Sequence, residues 1–196
     1  DHERELTAYH EGGHALVAAA LKDADPVHKI SIVAHGMAGG YTMKLPIEER
    51  RLRTRNQFMS DLAVALGGFV SEKLIFGDVS TGASSDLKTA SSIARQLVMR
   101  YGMSALGPIA FGKSDEMLFL GREISTEKNY SEDTAKKIDA EIHNFINGAH
   151  ELAKKILIGN KKALKAIADK LMEKETLEQE EFNAVLKPFK IKPLGV

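Results

Sequence analysis

Apolar residues recur at helical spacing along most of the chain, and only one short region breaks that habit. Phe58, Leu62, Leu66 and Phe69 fall three and four apart and predict a helix over residues 55–76. Leu87, Ala90, Ile93, Ala94, Leu97, Val98 and Tyr101 do the same over residues 86–101. Ser84 or Ser85 is placed to cap that helix and Gly102 to end it. After a low-periodicity stretch at 103–130, the stripe Ile138, Ile142, Phe145, Ile146, Ala149, Leu152, Ala153 and Ile156 predicts a long charged helix over 131–157. Residues 161–173 read as another, and Thr176-Leu177-Glu178-Gln179 as a capping box opening a last one that runs to Leu186. The exception lies at 27–33 and 41–45, two β-rich runs around Gly36, Gly39 and Gly40 that predict a hairpin.

The first helix, residues 3–22, carries the candidate chemistry. Residues 7–17 read Thr-Ala-Tyr-His-Glu-Gly-Gly-His-Ala-Leu-Val, so His10, Glu11 and His14 form the pattern His-Glu-x-x-His. Residues four apart share one helix face. Two imidazoles so placed can bind one Zn²⁺, with the intervening Glu as a general base for hydrolysis of an amide bond. Chance supplies roughly 0.02 such matches in a chain of this length and composition. Gly12 and Gly13 strengthen the signal, because a mid-helix Gly costs about 1 kcal/mol relative to Ala. A helix that served folding alone has little reason to accept that twice. Gly67-Gly68 interrupts the second helix in the same way and marks close packing, with the first helix as candidate partner. Asp86 falls in the first turn of its helix, where it either serves the dipole or completes a metal site. Glu72 stands alone, as a surface residue ordinarily does.

Composition narrows the picture. Lys plus Arg and Asp plus Glu are equal at 27 each, so no net field recruits nucleic acid or anionic lipid. The absence of Cys excludes disulfides and Cys-ligated zinc. The apolar run at 15–21 is far short of the roughly 20 residues that span a bilayer, so the chain as given is expected to be soluble. It opens on Asp1 without Met, which suggests a piece of something longer. The basic run Arg50, Arg51, Arg53 and Arg55 reads first as a solvated helix start and second as a docking surface for a neighbouring subunit. Residues 107–114, Gly107 to Ser114, satisfy the phosphate-loop pattern G-x-x-x-x-G-K-[ST]. A helix rather than a strand precedes them, and Asp115 and Glu116 follow, so the match is judged coincidental and no nucleotide site is expected. His28, His35, His143 and His150 have no partner at ligand spacing.

These residues together resemble the peptidase domain of the FtsH family, membrane-anchored AAA+ zinc proteases of bacteria, mitochondria and chloroplasts. The similarity runs nearly end to end. It takes in Ala8-Tyr9-His10-Glu11-Gly12-Gly13-His14-Ala15, Asp25-Pro26-Val27-His28-Lys29-Ile30, Gly39-Gly40-Tyr41-Thr42, Thr81-Gly82-Ala83-Ser84-Ser85-Asp86-Leu87, Tyr101-Gly102-Met103-Ser104, Leu106-Gly107-Pro108 and Glu175-Thr176-Leu177. The resemblance implies one Zn²⁺ per chain with Asp86, rather than Glu72, as the third ligand beside His10 and His14. Glu72 then looks like the acid that orients a ligating imidazole. The resemblance further implies an upstream ATPase domain, which alone would bind ATP, and membrane-spanning helices. It implies a homo-hexameric ring that degrades unfolded, misassembled and short-lived cytosolic and membrane proteins. Its place would be the cytoplasmic side of a bacterial inner membrane, or an organellar membrane. Gly40, Tyr41 and Thr42 are candidate substrate contacts, since the strand at 41–45 can serve as an edge for an extended polypeptide.

The sequence departs from the family's pattern in two places. Ala34-His35-Gly36 stands where Pro-Arg-Gly is usual, and Gly67-Gly68-Phe69-Val70-Ser71-Glu72-Lys73 where Gly-Gly-Arg-Ala-Ala-Glu-Glu is usual. Two arginines and one acid are lost, none of them a metal ligand. The expected architecture is mainly α with a small β-hairpin or sheet. A zincin-like metalloprotease core covers 1–130, a C-terminal helical bundle 131–187, and an irregular tail 188–196. Competing classes are a non-catalytic zinc-stabilised oligomerisation module of an AAA+ ring and a free-standing zinc amidase. Intact His10, Glu11 and His14 argue against the first, and the helical half from Ser131 onward against the second.

Overall fold

A computed structural model describes residues 1–34, 39–46, 52–112 and 128–196. His35, Gly36, Arg50, Arg51, Lys113, Ser114, Asp115 and Glu116 lie outside them. The described chain is mainly helical around a small sheet. Helix α1 spans His2–Ala19, α2 Arg55–Phe76, α3 Ser84–Met99, α4 Glu132–Gly159, α5 Lys161–Lys174 and α6 Gln179–Leu186. Strands β1 (Val27–Ser31), β2 (Tyr41–Lys44) and β3 (Thr176–Glu178) form one sheet in the order β2-β1-β3. Both pairings are antiparallel. Among the described residues, no helix is long and apolar enough to cross a membrane.

Local chemistry sets the element ends. In α2, Thr54 and Gln57 form a reciprocal capping box, and Gly77 at φ 75° closes the helix in the left-handed conformation. Ser131 caps α4 by accepting from the Thr134 N–H. Beyond shifts of up to three residues at element ends, such as α1 stopping at Ala19 rather than at 22, three details differ from the sequence-based expectation. Neither Ser84 nor Ser85 caps α3. A single 3-10 turn, Thr81–Ala83, leads directly into that helix, and Ser80 caps the turn instead. Residues 176–178 do not open a helix. They extend as β3 because β1 has a free edge that takes Leu177 opposite Ile30, and both side chains are fully buried there. The capping box of α6 is therefore Glu178 with Glu181. Leu87 and Tyr101 are 40% exposed, so the buried face of α3 reduces to Ala90, Ala94, Leu97 and Val98, with Ile93 partly covered.

The core is built on α1, which packs against α2 on one side and α5 on another, while α2 also packs against α4 and α3. The glycines make this possible. A Cβ on Gly13 would lie 2.5 Å from the Gly67 carbonyl oxygen and 2.6 Å from the Ser71 Cβ, and one on Gly67 would lie 2.8 Å from the Gly13 carbonyl oxygen. The two backbones thus touch where each lacks a side chain, as the paired glycines led us to expect. The Ser71 hydroxyl donates to the Tyr9 carbonyl oxygen at 2.6 Å across the same seam. Gly12 instead faces Leu164 and Ile167 of α5. The end of the chain is tied down as well, for Leu194 exchanges backbone hydrogen bonds with Ala20 and Lys22 just beyond α1.

The seam predicts opposite outcomes for the same substitution. Gly148 lies in α4 with nothing within 4 Å of an added Cβ, so Gly148→Ala should stabilise by up to about 1 kcal/mol. Gly13→Ala gains the same propensity yet should lower stability by about 1–3 kcal/mol through overpacking. Urea unfolding midpoints check both.

Candidate metal centre

The buried half of α1 brings His10, Glu11 and His14 to one cleft, and all three side chains are buried. The ring of His10 fits because α2 has Gly68 beside it, where a Cβ would approach ring atoms to 2.4–2.7 Å. The Nδ1–H of His10 donates to Glu72 Oε1 at 2.6 Å, and that of His14 to the Val64 carbonyl oxygen at 2.6 Å. With both Nδ1 positions used as donors, each neutral ring presents a bare lone pair at Nε2.

Those lone pairs point at each other. The two Nε2 atoms are 3.0 Å apart, and Asp86 Oδ2, delivered by the first turn of α3, lies 3.0 Å from one and 3.3 Å from the other. Three acceptors cannot meet in this way without a cation between them, either a proton or a metal ion. Ligands on a tetrahedral zinc with bonds of about 2.0–2.1 Å sit roughly 3.3 Å apart, so the spacing suits that ion. His10, His14 and Asp86 are also the one group among the described residues whose donor atoms converge closely enough to hold a metal.

The proton affinities of these groups follow from the same contacts. Burial disfavours the charged form of His10, but hydrogen bonds to Asp86 and Glu72 outweigh it, and the ring is pushed up to about 9. Burial likewise works against ionised Asp86, yet the bonds from His10 and His14 hold its carboxyl well below the usual carboxylate range. Glu72 is depressed despite its burial because His10 and Ser80 both donate to it.

Glu72 is not the surface residue its isolation suggested. It is fully buried in α2 and accepts from the His10 ring, the Ser80 N–H at 2.5 Å and the Ser80 hydroxyl at 3.1 Å. It touches the far nitrogen of the ring and lies outside the converging group. Ser80 and the Val64 carbonyl gave no signal in the sequence, because a loop serine and a main-chain oxygen carry no pattern. Gly40, Tyr41 and Thr42 line the same cleft, a cavity of about 1180 Å³ that continues to Lys44 and Asp61.

The other candidates lie elsewhere. His28 sits at the register shift of β1. His143 is exposed, and His150 meets the ring of Phe69 edge-on, so the Phe69 departure from the family's pattern is a packing contact. The described arginines of the basic run are engaged: Arg53 pairs with Asp61 and lies over the Phe58 ring, and Arg55 donates to the Met103 carbonyl.

Comparison with known proteins gives the chain's relatives. Residues 1–185 match the sequence model of peptidase family M41. An ATP-dependent zinc metalloprotease FtsH 1 of Thermomicrobium roseum is 50% identical over 94% of this chain and 28% of its own length. A protein of the same name from Sphaerobacter thermophilus is 51% identical, again over 94% and 28%. The ATP-dependent zinc metalloprotease FtsH of Chloroflexus aggregans is 48% identical over 99% of this chain and 30% of its own. The chain thus spans less than a third of these relatives.

The site's titration has a measurable sign. His10 is raised from 6.5 to about 9 on folding, so its contribution is complete below about pH 6.5 and lost as the pH rises through about 9. Asp86 is depressed from 3.8, so its contribution is present above about pH 4 and lost as the pH falls. Chelator-treated protein should therefore unfold at lower urea concentration at about pH 9.5 than at about pH 6. An unchanged midpoint would contradict the hydrogen-bonded pair.

Proposed function

The chain belongs to peptidase family M41, and on that premise we propose that it is a zinc endopeptidase. His10, His14 and Asp86 hold the metal and Glu11 is its general base. The observation that carries this reading is the convergence of two imidazole lone pairs and a carboxylate oxygen on one point of a buried cleft. Zinc bound there supplies a Lewis acid that acidifies a water and polarises a peptide carbonyl. Glu11 takes the proton from the attacking water and passes it to the leaving amine nitrogen. Glu72 and the Val64 carbonyl fix the two imidazole tautomers with Nε2 toward the metal. In this reading α1, strands β1 and β2, and α3 belong to a zincin-like core within residues 1–130, and the helices of 131–187, together with β3, buttress it.

Strand β2 supports a choice of substrate. One edge pairs with β1, and no described strand covers the other. An extended polypeptide can add there through the main chain of Gly40, Tyr41 and Thr42, and such pairing ignores side-chain identity. Unfolded protein is therefore the substrate class. In the complete protein, the chain is the peptidase part of an ATP-dependent, membrane-anchored homo-hexamer. An upstream ATPase domain there delivers unfolded, misassembled and short-lived proteins at the cytoplasmic face of a bacterial or organellar membrane.

Glu11→Gln should keep one zinc per chain while casein hydrolysis falls roughly 10²–10⁴-fold. Asp86→Ala should lose most of its zinc by elemental analysis, and Glu72→Ala should weaken zinc about 10–100-fold without abolishing it. Zinc kept by Asp86→Ala but lost by Glu72→Ala would reverse the ligand assignment.

A further inference from the structure

The structure assigns Thr42 as the positioning residue that holds the Glu11 carboxylate and ties it to strand β2. This rests on the reading of Glu11 as general base. The Thr42 hydroxyl lies 2.6 Å from Glu11 Oε2 and 3.2 Å from the Glu11 main-chain oxygen. A hydroxyl has one hydrogen to give, and the shorter, charge-assisted bond to the carboxylate takes it. A Glu side chain has three rotatable bonds, so without a tether its carboxylate samples several positions in the cleft.

The tether itself is rigid. Thr42 stands opposite Ile30, which is fully buried, so the register of the β1–β2 pair fixes where its hydroxyl sits. Gly40 lets the strand come close enough. A Cβ there would meet the Ser31 carbonyl oxygen at 2.7 Å, Thr7 Cγ2 at 2.8 Å and Glu11 Cγ at 3.1 Å. The start of β2 therefore lies hard against α1 at the level of Glu11. One strand thus does two things. Its main chain offers an edge to the substrate, and one of its side chains sets the base, which keeps the two in register. The side chain of Thr42 then belongs to kcat, and the main chain around it to KM.

The test uses zinc-loaded protein and an extended fluorogenic peptide. Thr42→Val and Thr42→Ala should lower kcat about tenfold or more, as misplacement of a catalytic group does, with KM within about twofold and one zinc retained. Thr42→Ser should restore kcat to within about threefold of the parent. If Thr42→Val does not fold, the Ala and Ser variants still decide, because they differ by one hydroxyl. Unchanged kcat with a raised KM overturns the inference, as does a Ser variant no better than Ala, or loss of zinc from all three. Glu11→Gln is measured alongside. If it is inactive while Thr42→Val and Thr42→Ala keep kcat, the role of Thr42 alone fails; if it stays active, the base assignment fails and the inference falls with it.

Discussion

Everything in the candidate site depends on how closely α1 and α2 approach. The two backbones meet at Gly13 and Gly67, where a single added methyl would collide with main-chain atoms of the other helix. That contact fixes the height and rotation of one helix against the other. At that setting the Val64 carbonyl reaches the His14 ring, Glu72 reaches the His10 ring, and Gly68 leaves the space that ring occupies. Mid-helix glycine is locally unfavourable. Here it is what allows a rigid, buried frame of hydrogen bonds to form around two imidazoles, and rigidity of that kind keeps side chains in place for chemistry.

The second constraint is electrostatic. A fully buried carboxylate such as Glu72 is tolerable only when its lone pairs are used, and it accepts from His10 and twice from Ser80. Because Ser80 stands just before the turn into α3, Glu72 joins the loop that delivers Asp86 to the helix that carries His10. One buried acid therefore links the three helices of the site. The price is a cluster whose acceptors repel one another until a cation joins them; the raised His10 is that tension expressed as proton affinity, and the depressed Asp86 is the carboxylate held ionised by its histidine partners.

The sheet supplies what the helices cannot. β1 is central and buried, pinned by β3 on one side, and so it holds β2 at the mouth of the cleft with one edge free of described strands. The strand thereby sits against Glu11 and beside open space at once. β3 comes from the far end of the chain, between α5 and α6, so the C-terminal helices are part of what positions the cleft.

Much of this was legible in the residues. The helix period is a local rule, so His10 and His14 had to share a face with Glu11 on its flank, and the bounds of α2 followed from its apolar spacing. The paired glycines announced a close contact for the same reason, since their cost needs an offsetting approach. The rest depended on packing across long separations, for which a single sequence holds no metric. Glu72 looked like a surface acid because nothing in its neighbours reports burial 62 residues away from its partner. Asp86 could be placed on its helix but not aimed, because its encounter with His10, 76 residues earlier, is set by the angle at which α3 leaves the Ser80 loop. β3 is too short to show a period, and it exists because β1 offers a partner. By itself, then, the sequence determined which groups can carry the chemistry and on which helical faces they lie. Tertiary structure alone decided which of them meet, because interhelical distance and strand register arise from contacts between distant residues and leave no periodic trace.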